Sequence, residues 1–525
     1  MKTLRLDRFA PALLLVLGLL AGVAQAEPID AVQAKPIDWA AVDPTDHTYD
    51  DWYLDTIEGQ PAGYWRSWMT VGKAITSGYE EYRVESHGGE KSTYKHRIIW
   101  VESNDFAPMH ITVTTSAGSD EVKKTYRFLE DGIELTSEQN GRTIKRKLPP
   151  IKGDYLTAAQ SSIAMDLYLK RGDDSFELAS LDVTVGMQPF MTTYTRSKGK
   201  PADFKLADDR ETDAQLWVTT YSSFPGFEMH NWIDDQHRIV GVAYVIDAMT
   251  FESRLADKMV VDTEFDPPEM SGLSVVVPDK AIKDVHRQRK IVYELHYDSG
   301  DSDIVPTQTA QQTVERLGKG KARVTVALDA KPQAVKEDQP TEAHLANSIM
   351  IDHEDELVRK LAKQAVVKLE KDADEEQIAS ACKRFVSRHI NGMSLSVGDG
   401  SASEAARTRE GDCTECSVLL AALLRAHGIP SRCVVGLVYS EDDFVGQKDV
   451  FVYHQWTQAW IQAGEDEGYW LDLDSAMWRY SAGHITLGVS AMGDDSQEEL
   501  LRVVPMQQNL QIKIIETSKT KNKRR

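Results

Sequence analysis

Residues 410–436 read EGDCTECSVLLAALLRAHGIPSRCVVG, and this stretch predicts a buried helix. Asp412 stands at the N-cap position and Glu415 follows three residues later, which is an acidic variant of the capping box. Residues 418–424 are apolar on every side of the helix. Because a helix that is apolar all round is usually buried, we expect this one to lie in a protein core.

Single residues define the end of this helix and its first turn. Gly428 suits the left-handed position after a helix and Pro430 prevents continuation, so we predict a helix over about residues 413–427. Cys413 then lies in the first turn, where unpaired N–H groups and the helix dipole favour a thiolate. Cys416, one turn further in, is expected to be protonated and inert. Cys413 is therefore the candidate nucleophile.

Two downstream runs supply a candidate base and a candidate acid. Residues 451–460 read FVYHQWTQAW and residues 469–474 read YWLDLD, and both are expected to form strands. Alternation places on one face His454, Trp456 and Trp460 in the first run, and Trp470, Asp472 and Asp474 in the second. A nucleophilic cysteine needs a base within reach, and that base needs a third group to orient it. If the two strands pair as a hairpin, an acid can meet His454.

Together these segments resemble the transglutaminase-like superfamily, in its bacterial exported branch. The matching pieces, within about residues 403–479, are GDCTE at 411–415, LRAHGIPSR at 424–432, VVG at 434–436, YHQW at 453–456 and WLDLD at 470–474. Cys, His and Asp occur in the family's order. The resemblance implies a papain-like α+β domain, and we expect neither a metal nor a cofactor.

Carried over residue by residue, the resemblance assigns Cys413 as nucleophile, His454 as base and Asp474 as the acid that orients the imidazole. Asp474 is preferred because the family's acid follows the tryptophan by four positions. Asp472 stays open as an alternative, since it has the same strand parity. Two neighbouring aromatic residues are candidates for substrate binding: Trp456 and Trp470.

The sequence departs from the family at three positions. Cys416 stands where a histidine or another polar residue commonly follows Thr-Glu, and Cys433 lies in the strand after the helix. A disulfide between Cys413 and Cys416, or from either to Cys433, would silence the nucleophile. Ser475 replaces the usual proline after the acid, a change expected to affect the turn more than the chemistry.

The predicted function is that of an exported, cysteine-dependent acyl-transfer enzyme. It would act on amide bonds of protein or peptide substrates through a thioester, as a protease or amidase or as a transglutaminase. One alternative is a non-catalytic envelope protein that binds or scaffolds a partner. Another is a thiol-redox or metal site built on the pair Cys413 and Cys416, although the chain has no second CxxC to complete a closed zinc site.

The N-terminus has the pattern of a secretory signal. Lys2, Arg5 and Arg8 precede an apolar run over residues 10–23, and Ala-Gln-Ala at 24–26 suits cleavage after Ala26. We therefore expect residues 1–26 to be removed and the mature chain to be periplasmic or secreted. No other run approaches the roughly 18 apolar residues of a membrane span, so no transmembrane segment is expected in the mature chain.

Composition narrows the partners. The 525-residue chain has a formal charge of −22, which argues against nucleic acid as a partner. A basic run over residues 519–525 is expected to be solvated, although it offers a contact for a cell-envelope component. Only four cysteines occur, too few for a disulfide scaffold in so long a chain. A protein or peptide substrate remains the expected partner.

The fold class predicted for the whole chain is α+β, with an antiparallel β-rich N-terminal part and a transglutaminase-like C-terminal part. Asn140-Gly141 between two alternating runs predicts a hairpin in the first part. The predicted domains are a signal peptide at 1–26, a curved sheet or half-barrel at 27–268, a small β module or sheet extension at 269–330, a linker at 331–345, the catalytic domain at 346–495, and a C-terminal strand with the basic tail at 496–525.

Overall fold

The computed structural model describes residues 36–519 with short gaps. The gaps are residues 88–89, 118–119, 140–141, 182, 184–188, 223, 247–248, 270–274, 298–303, 330–337, 349, 393–400, 443–446, 465–466, 478, 494–502 and 508. The predicted signal peptide, the Asn140-Gly141 turn, residues 331–337 of the predicted linker and the last six residues of the basic tail therefore lie outside the described residues. The chain divides into two compact units, and the boundary between them follows Glu269.

In its described residues, the first unit is a single antiparallel sheet of fifteen strands with one α-helix. Its elements are β1 (Tyr49–Ile57), β2 (Gln60–Val71), β3 (Ile75–His87), β4 (Glu90–Glu102), β5 (Pro108–Ala117), β6 (Asp120–Leu129), β7 (Gly132–Gln139), β8 (Arg142–Leu148), α1 (Ala158–Arg171), β9 (Ser175–Leu181), β10 (Pro189–Arg196), β11 (Ala202–Lys205), β12 (Glu211–Tyr221), β13 (Phe224–Asp234), β14 (Ile239–Ile246) and β15 (Met249–Ala256). The strand order is β8-β7-β6-β5-β4-β3-β2-β1-β15-β14-β13-β12-β10-β9, with β11 on β12. Gln139 faces Arg142, so β7 and β8 form the hairpin predicted around Asn140-Gly141.

Helix α1 covers part of one face of this sheet. Thr157 and Gln160 form a capping box at its start, and Gly172 ends it with a φ of 76°. Its buried residues Ala164 and Tyr168 belong to one core cluster with aromatic residues of the strands. The helix therefore supplies the apolar cover that a half-buried antiparallel sheet requires.

The second unit contains two smaller sheets and five helices among its described residues. Its elements are β16 (Val275–Val276), β17 (Gln288–His296), β18 (Gln312–Gly318), β19 (Lys321–Ala327), α2 (Glu356–Ala365), α3 (Glu375–His389), α4 (Ala402–Thr408), α5 (Cys413–Ala426), β20 (Ser431–Ser440), β21 (Val450–Gln462), β22 (Gly468–Leu473), β23 (His484–Ser490), α6 (Val504–Gln507) and β24 (Gln511–Lys519). The predicted fold class, α+β with an antiparallel β-rich first part, is confirmed.

The five-stranded sheet has the order β16-β21-β20-β23, with β22 also paired to β21. The four-stranded sheet, β18-β19-β17-β24, joins strands from the predicted β module to the C-terminal strand. The two sheets share a core in which Tyr293 of one lies 5.7 Å from Phe451 of the other, measured between ring centroids.

Helix α5 confirms the helix predicted from residues 410–436. It runs over Cys413–Ala426, Asp412 and Glu415 form the predicted capping box, and Gly428 has the expected positive φ of 76°. All its residues from Cys413 to Arg425 are buried. The helix packs against α2, α3 and α4 on one side and against strands β20 and β21 on the other.

The second half of the predicted linker is docked on the five-stranded sheet. Both carboxylate oxygens of Asp338 accept hydrogen bonds from Arg432 at 2.6 Å. The main-chain oxygen of Asp338 accepts from the indole of Trp470, and the His344 ring lies 5.0 Å from that indole. The part of this segment that the structure describes is thus held by the sheet.

No helix in the described ranges has both the length and the apolar character that a membrane span requires.

Candidate active site

The candidate site lies beside an open stretch of strand β21. On one edge of this strand, β16 pairs with Phe451 and Val452, and β22 pairs with residues 457–462. Between them, no described strand pairs with residues 453–456 on that edge. The backbone of this stretch is therefore available to the start of helix α5 rather than to a neighbouring strand.

Cys413 uses this opening. The backbone amide of Gln455, the residue after His454, lies beside the sulfur of Cys413 and lowers the pKa of its thiol. A second tie holds the helix against the same strand, because the side-chain amide of Gln455 donates to Ser417 Oγ. The helix start and strand β21 are thus fixed to each other within a residue of His454. Cys413 itself is 4% exposed.

The capping box binds several backbone N–H groups at the start of helix α5 but not that of Cys413. The N–H of Asp412 donates to Glu415 Oε2 at 2.9 Å, and the N–H of Thr414 donates to Asp412 Oδ1 at 2.7 Å. The side chain of Asp412 also accepts from the N–H of Glu415. The N–H of Cys413 is not among the groups that the box binds.

The expected resting thiolate at Cys413 is wrong for this structure. Burial raises the pKa of the Cys413 thiol well above its ordinary value, and the charges of Asp412 and Glu415 raise it further. The backbone amide of Gln455 lowers this pKa only in part. The helix dipole is outweighed because the sulfur is buried and two acidic side chains cap the same turn. Cys413 is therefore a neutral thiol at rest.

His454 and Asp474 meet as the alternation predicted. Nε2 of His454 lies 2.9 Å from Asp474 Oδ2, and each of the two residues is 1% exposed. Since an ionised carboxylate can only accept, this contact places the ring proton on Nε2. The other ring nitrogen, Nδ1, then carries the lone pair that a general base requires.

Asp474 is held by two histidines and two backbone amides. His484 Nε2 lies 3.0 Å from the same oxygen, Oδ2, that contacts His454. Oδ1 accepts from the N–H groups of Ala476 at 3.0 Å and Met477 at 2.8 Å. Burial alone would raise the pKa of Asp474, but the charge and hydrogen bond of His454 and the hydrogen bond of His484 hold it well below its ordinary value. Asp474 is therefore ionised.

Asp472, the alternative acid, has a different role. Its Oδ1 accepts from the indole of Trp456 and from the amide of Gln458, both at 2.8 Å. Burial raises the pKa of Asp472 to about 6, although those two hydrogen bonds oppose the change. Asp472 thus binds the strand that carries His454 without contacting the imidazole in any described hydrogen bond.

The two tryptophans predicted as substrate contacts are enclosed by protein. Trp456 and Trp470 are 1% and 2% exposed, respectively. The Trp456 ring lies 6.0 Å from the His454 ring, and the guanidinium of Arg432 lies 4.1 Å from the Trp470 ring centroid. Because both rings are almost fully buried, the geometry favours support of the strands over direct substrate binding.

The disulfides that would silence the nucleophile are not formed. All four cysteines, Cys382, Cys413, Cys416 and Cys433, are free and buried. Burial raises the pKa of Cys416 well above its ordinary value and that of Cys433 to about 11. Cys416 is thus protonated, as predicted, and the candidate nucleophile is not blocked.

Ser475 contributes more than a change of turn. Its hydroxyl donates to the carbonyl oxygen of Cys416 at 3.0 Å, and its own carbonyl accepts from Ser387 Oγ at 2.8 Å. A proline at this position has no hydroxyl to make the first of these bonds. The residue after the acid therefore connects the loop of Asp474 to helix α5.

One group of side chains in the described part of the chain has the spacing of metal ligands. One ligand atom each from His454, Asp474 and His484 lies within 4.8 Å of the others. However, Asp474 Oδ2 lies at hydrogen-bond distance, 2.9 and 3.0 Å, from the two Nε2 atoms. A proton on each Nε2 accounts for these contacts without an ion.

Sequence reasoning missed His484. It opens the run HITLGVS, whose alternation predicts only a strand, and no family motif points to it. Its position next to Asp474 depends on the pairing of β23 with β20, which is a long-range feature.

A comparison with protein-family models matches residues 359–475 to the transglutaminase-like superfamily. The matched range contains Cys413, His454 and Asp474 but ends before His484. The second unit of this protein therefore carries a transglutaminase-like region, as the sequence indicated. No curated protein matches the chain.

Solved structures give weaker likenesses. A candidate cysteine protease from Cytophaga hutchinsonii is 15% identical with a TM-score of 0.27. The match covers 44% of this chain and 86% of the protease chain. The periplasmic domain of TgpA from Pseudomonas aeruginosa, bound to ethylmercury, is 17% identical with a TM-score of 0.25. The match covers 40% of this chain and 86% of that domain. A beta-barrel-like protein of unknown function from Brucella abortus is 9% identical with a TM-score of 0.29. The match covers 40% of this chain and 96% of that protein. Scores this low support no inference about the chain.

Proposed function

We propose that this protein is an exported cysteine acyl-transfer enzyme that acts on amide bonds of protein or peptide substrates. One observation carries the proposal: His454 Nε2 lies 2.9 Å from Asp474 Oδ2, and the next residue, Gln455, is bound through its side-chain amide to Ser417 of the helix that begins at Cys413. Nucleophile, base and orienting acid thus belong to one connected set of contacts. These contacts support nucleophilic catalysis by a thiol, which needs a base near the sulfur and an acid that orients that base.

The proposed reaction begins with a neutral thiol. As the sulfur of Cys413 attacks the substrate carbonyl, Nδ1 of His454 takes up the thiol proton and Asp474 stabilises the resulting imidazolium. The backbone N–H of Cys413, which the capping box does not use, donates to the developing oxyanion. His454 then returns the proton to the leaving amine, and a thioester remains on Cys413.

The thioester is resolved by water or by a second amine. With water the enzyme is a protease or amidase, and with an amine it is a transglutaminase. In the hydrolytic route His454 takes a proton from the attacking water and returns it to the sulfur of Cys413 as the thioester C–S bond breaks and the substrate acid leaves. We favour hydrolysis, because water is abundant.

Burial disfavours the thiol-redox alternative. Dithiol exchange needs both sulfurs to react, and burial raises the pKa of Cys416 well above its ordinary value. In an acyl-transfer reaction Cys416 is not needed, whereas redox exchange needs both sulfurs. The two functions therefore predict different results for single substitutions.

The experiment compares the purified mature chain with Cys413→Ser and Cys416→Ser. Fluorescently labelled casein tests hydrolysis, and incorporation of a dansylated primary amine tests transamidation. We expect product with the parent chain and Cys416→Ser, and none with Cys413→Ser. Equal loss in both variants would support dithiol chemistry, and activity that survives Cys413→Ser would refute the proposal.

A further inference from the structure

We propose that His484 is a positioning residue that holds Asp474 ionised and aligned, and through it fixes the tautomer of His454. This inference rests on the proposed function. Oδ2 of Asp474 lies 2.9 Å from Nε2 of His454 and 3.0 Å from Nε2 of His484. A single carboxylate oxygen thus serves both rings.

The protonation of His484 follows from its other ring nitrogen. The backbone N–H of Ser481 lies 3.2 Å from Nδ1 of His484 and can only donate, so Nδ1 carries the lone pair. The ring is completely buried, and burial is the main cause that lowers the pKa of His484. A neutral ring with a bare Nδ1 must carry its hydrogen on Nε2. His484 is therefore a fixed donor to Asp474.

This donor completes the set of bonds to Asp474. Oδ1 accepts two backbone N–H groups, from Ala476 and Met477, and Oδ2 accepts two imidazole N–H groups. A carboxylate that accepts several hydrogen bonds stays ionised even when it is buried. These four hydrogen bonds also prevent the Asp474 carboxylate from rotating. The N–H of His454 therefore always points to the same acceptor oxygen.

Packing shows that His484 acts through Asp474 rather than on a substrate. The ring is 1% exposed and lies 4.5 Å from the Tyr480 ring and 5.3 Å from the Trp456 ring. Trp456 in turn lies 6.0 Å from His454. The two imidazoles therefore share one aromatic support and one carboxylate. His484 has no surface to offer a reacting group.

Two substitutions separate the hydrogen bond from the volume of the ring. His484→Gln retains an N–H close to the position of Nε2, whereas His484→Leu retains apolar bulk and no donor. His296→Leu, on the half-buried strand β17, is the matched control for replacement of a histidine. Each variant is made in the full mature chain, and its melting temperature is measured.

The first readout is the rate at which iodoacetamide modifies Cys413 at neutral pH, mapped by mass spectrometry. The second is the ¹⁵N spectrum of histidine-labelled protein, which distinguishes a protonated ring nitrogen from a bare one. We expect His484→Leu to slow modification at least about tenfold, as for loss of a bond to a charged group, and to remove the single His454 tautomer. We expect His484→Gln to retain most of the modification rate and of the single His454 tautomer. His296→Leu should change neither the rate nor the tautomer.

Equal rates in His484→Leu and the parent chain, or equal loss in the Leu and Gln variants while both remain folded, would overturn the role of His484. A parent chain whose Cys413 is not modified in a His454-dependent manner would instead refute the proposed function. The ¹⁵N spectrum keeps the two failures distinguishable, since the His454 tautomer is observed without any reaction.

Discussion

Asp474 Oδ2 lies 2.9 Å from Nε2 of His454, although the two residues are twenty positions apart and each is 1% exposed. The contact forms because β21 and β22 pair, with Thr457 opposite Leu473 at the end next to the site. The acid then follows directly after β22. The orientation of the imidazole therefore depends on the register of this hairpin.

The first prediction distinguishes the two acids. Asp474→Asn keeps the size of the side chain but presents an amide that cannot stabilise an imidazolium, so modification of Cys413 at neutral pH should fall by about 100-fold or more. Asp472→Asn is the matched control, since its oxygen can still accept from Trp456 and Gln458. It should retain most of the rate. If the modification rate fell further in Asp472→Asn than in Asp474→Asn, Asp472 rather than Asp474 would be the acid that orients His454.

The second prediction concerns Gly436, which lies between β21 and β23 opposite His454 and Thr486. A Cβ at this position would lie 2.2 Å from the carbonyl oxygen of Ile485 and 2.6 Å from the Trp456 ring. Gly436→Ala should therefore lower the free energy of unfolding by at least about 2 kcal/mol and slow the modification of Cys413.

Gly464→Ala is the control for this substitution, because its Cβ would meet only ordinary contacts at 3.6 Å and beyond. Urea unfolding followed by tryptophan fluorescence compares the two variants. Equal free energies of unfolding for Gly436→Ala and Gly464→Ala would show that the sheet accommodates a Cβ at residue 436 next to Trp456 without strain.

The third prediction concerns the first unit and pH. Burial, opposed mainly by Arg83, raises the pKa of Asp55 to about 7. The unfolded chain releases this proton near pH 4, whereas the folded unit keeps it to about pH 7, so folding takes up a proton between these values. The free energy of unfolding should therefore fall by roughly 4 kcal/mol as the pH rises from about 4 to 7.

Asp55→Asn should remove most of this decline, since an amide does not ionise and can still accept from Ser253. Asp203→Asn, at an exposed position in the same sheet, is the control and should leave the decline unchanged. Urea titrations at several pH values provide the measurement. A decline that persists in Asp55→Asn would assign it to another group.

The fourth prediction concerns metal ions at His454, Asp474 and His484. Because hydrogen bonds account for the contacts of Asp474 Oδ2 at 2.9 and 3.0 Å, prolonged dialysis against EDTA should leave the modification rate of Cys413 unchanged. Elemental analysis of the dialysed protein provides the control. Loss of the rate on dialysis, with recovery on adding zinc, would show that these residues hold an ion.

Local patterns predicted much of the candidate site. The capping box, the apolar helix and Gly428 located helix α5 to within one residue, because these are short-range determinants. Strand alternation brought His454 and Asp474 together for the same reason. Features that depend on long-range pairing were not accessible, including His484 on β23 and the docking of Asp338 on Arg432.

The expected thiolate failed for a different physical reason. The helix dipole is a property of the backbone, and the sequence shows it directly. The degree of burial of Cys413 and the nearness of two carboxyl groups are properties of the packed structure, and they outweigh the dipole. In the first unit, alternation predicted antiparallel strands, but the order of fifteen strands follows only from their pairing.

The most direct test of the central claim is the pH dependence of iodoacetamide modification at Cys413 in the parent chain and in His454→Gln. Burial raises the pKa of this thiol, so a sulfur that ionises alone should react only under alkaline conditions. With His454 as its base, the parent chain should react near neutral pH, and His454→Gln should react only at alkaline pH. Identical profiles in the two proteins, or preferential modification of Cys416 or Cys433, would contradict the assignment of Cys413 and His454 as nucleophile and base.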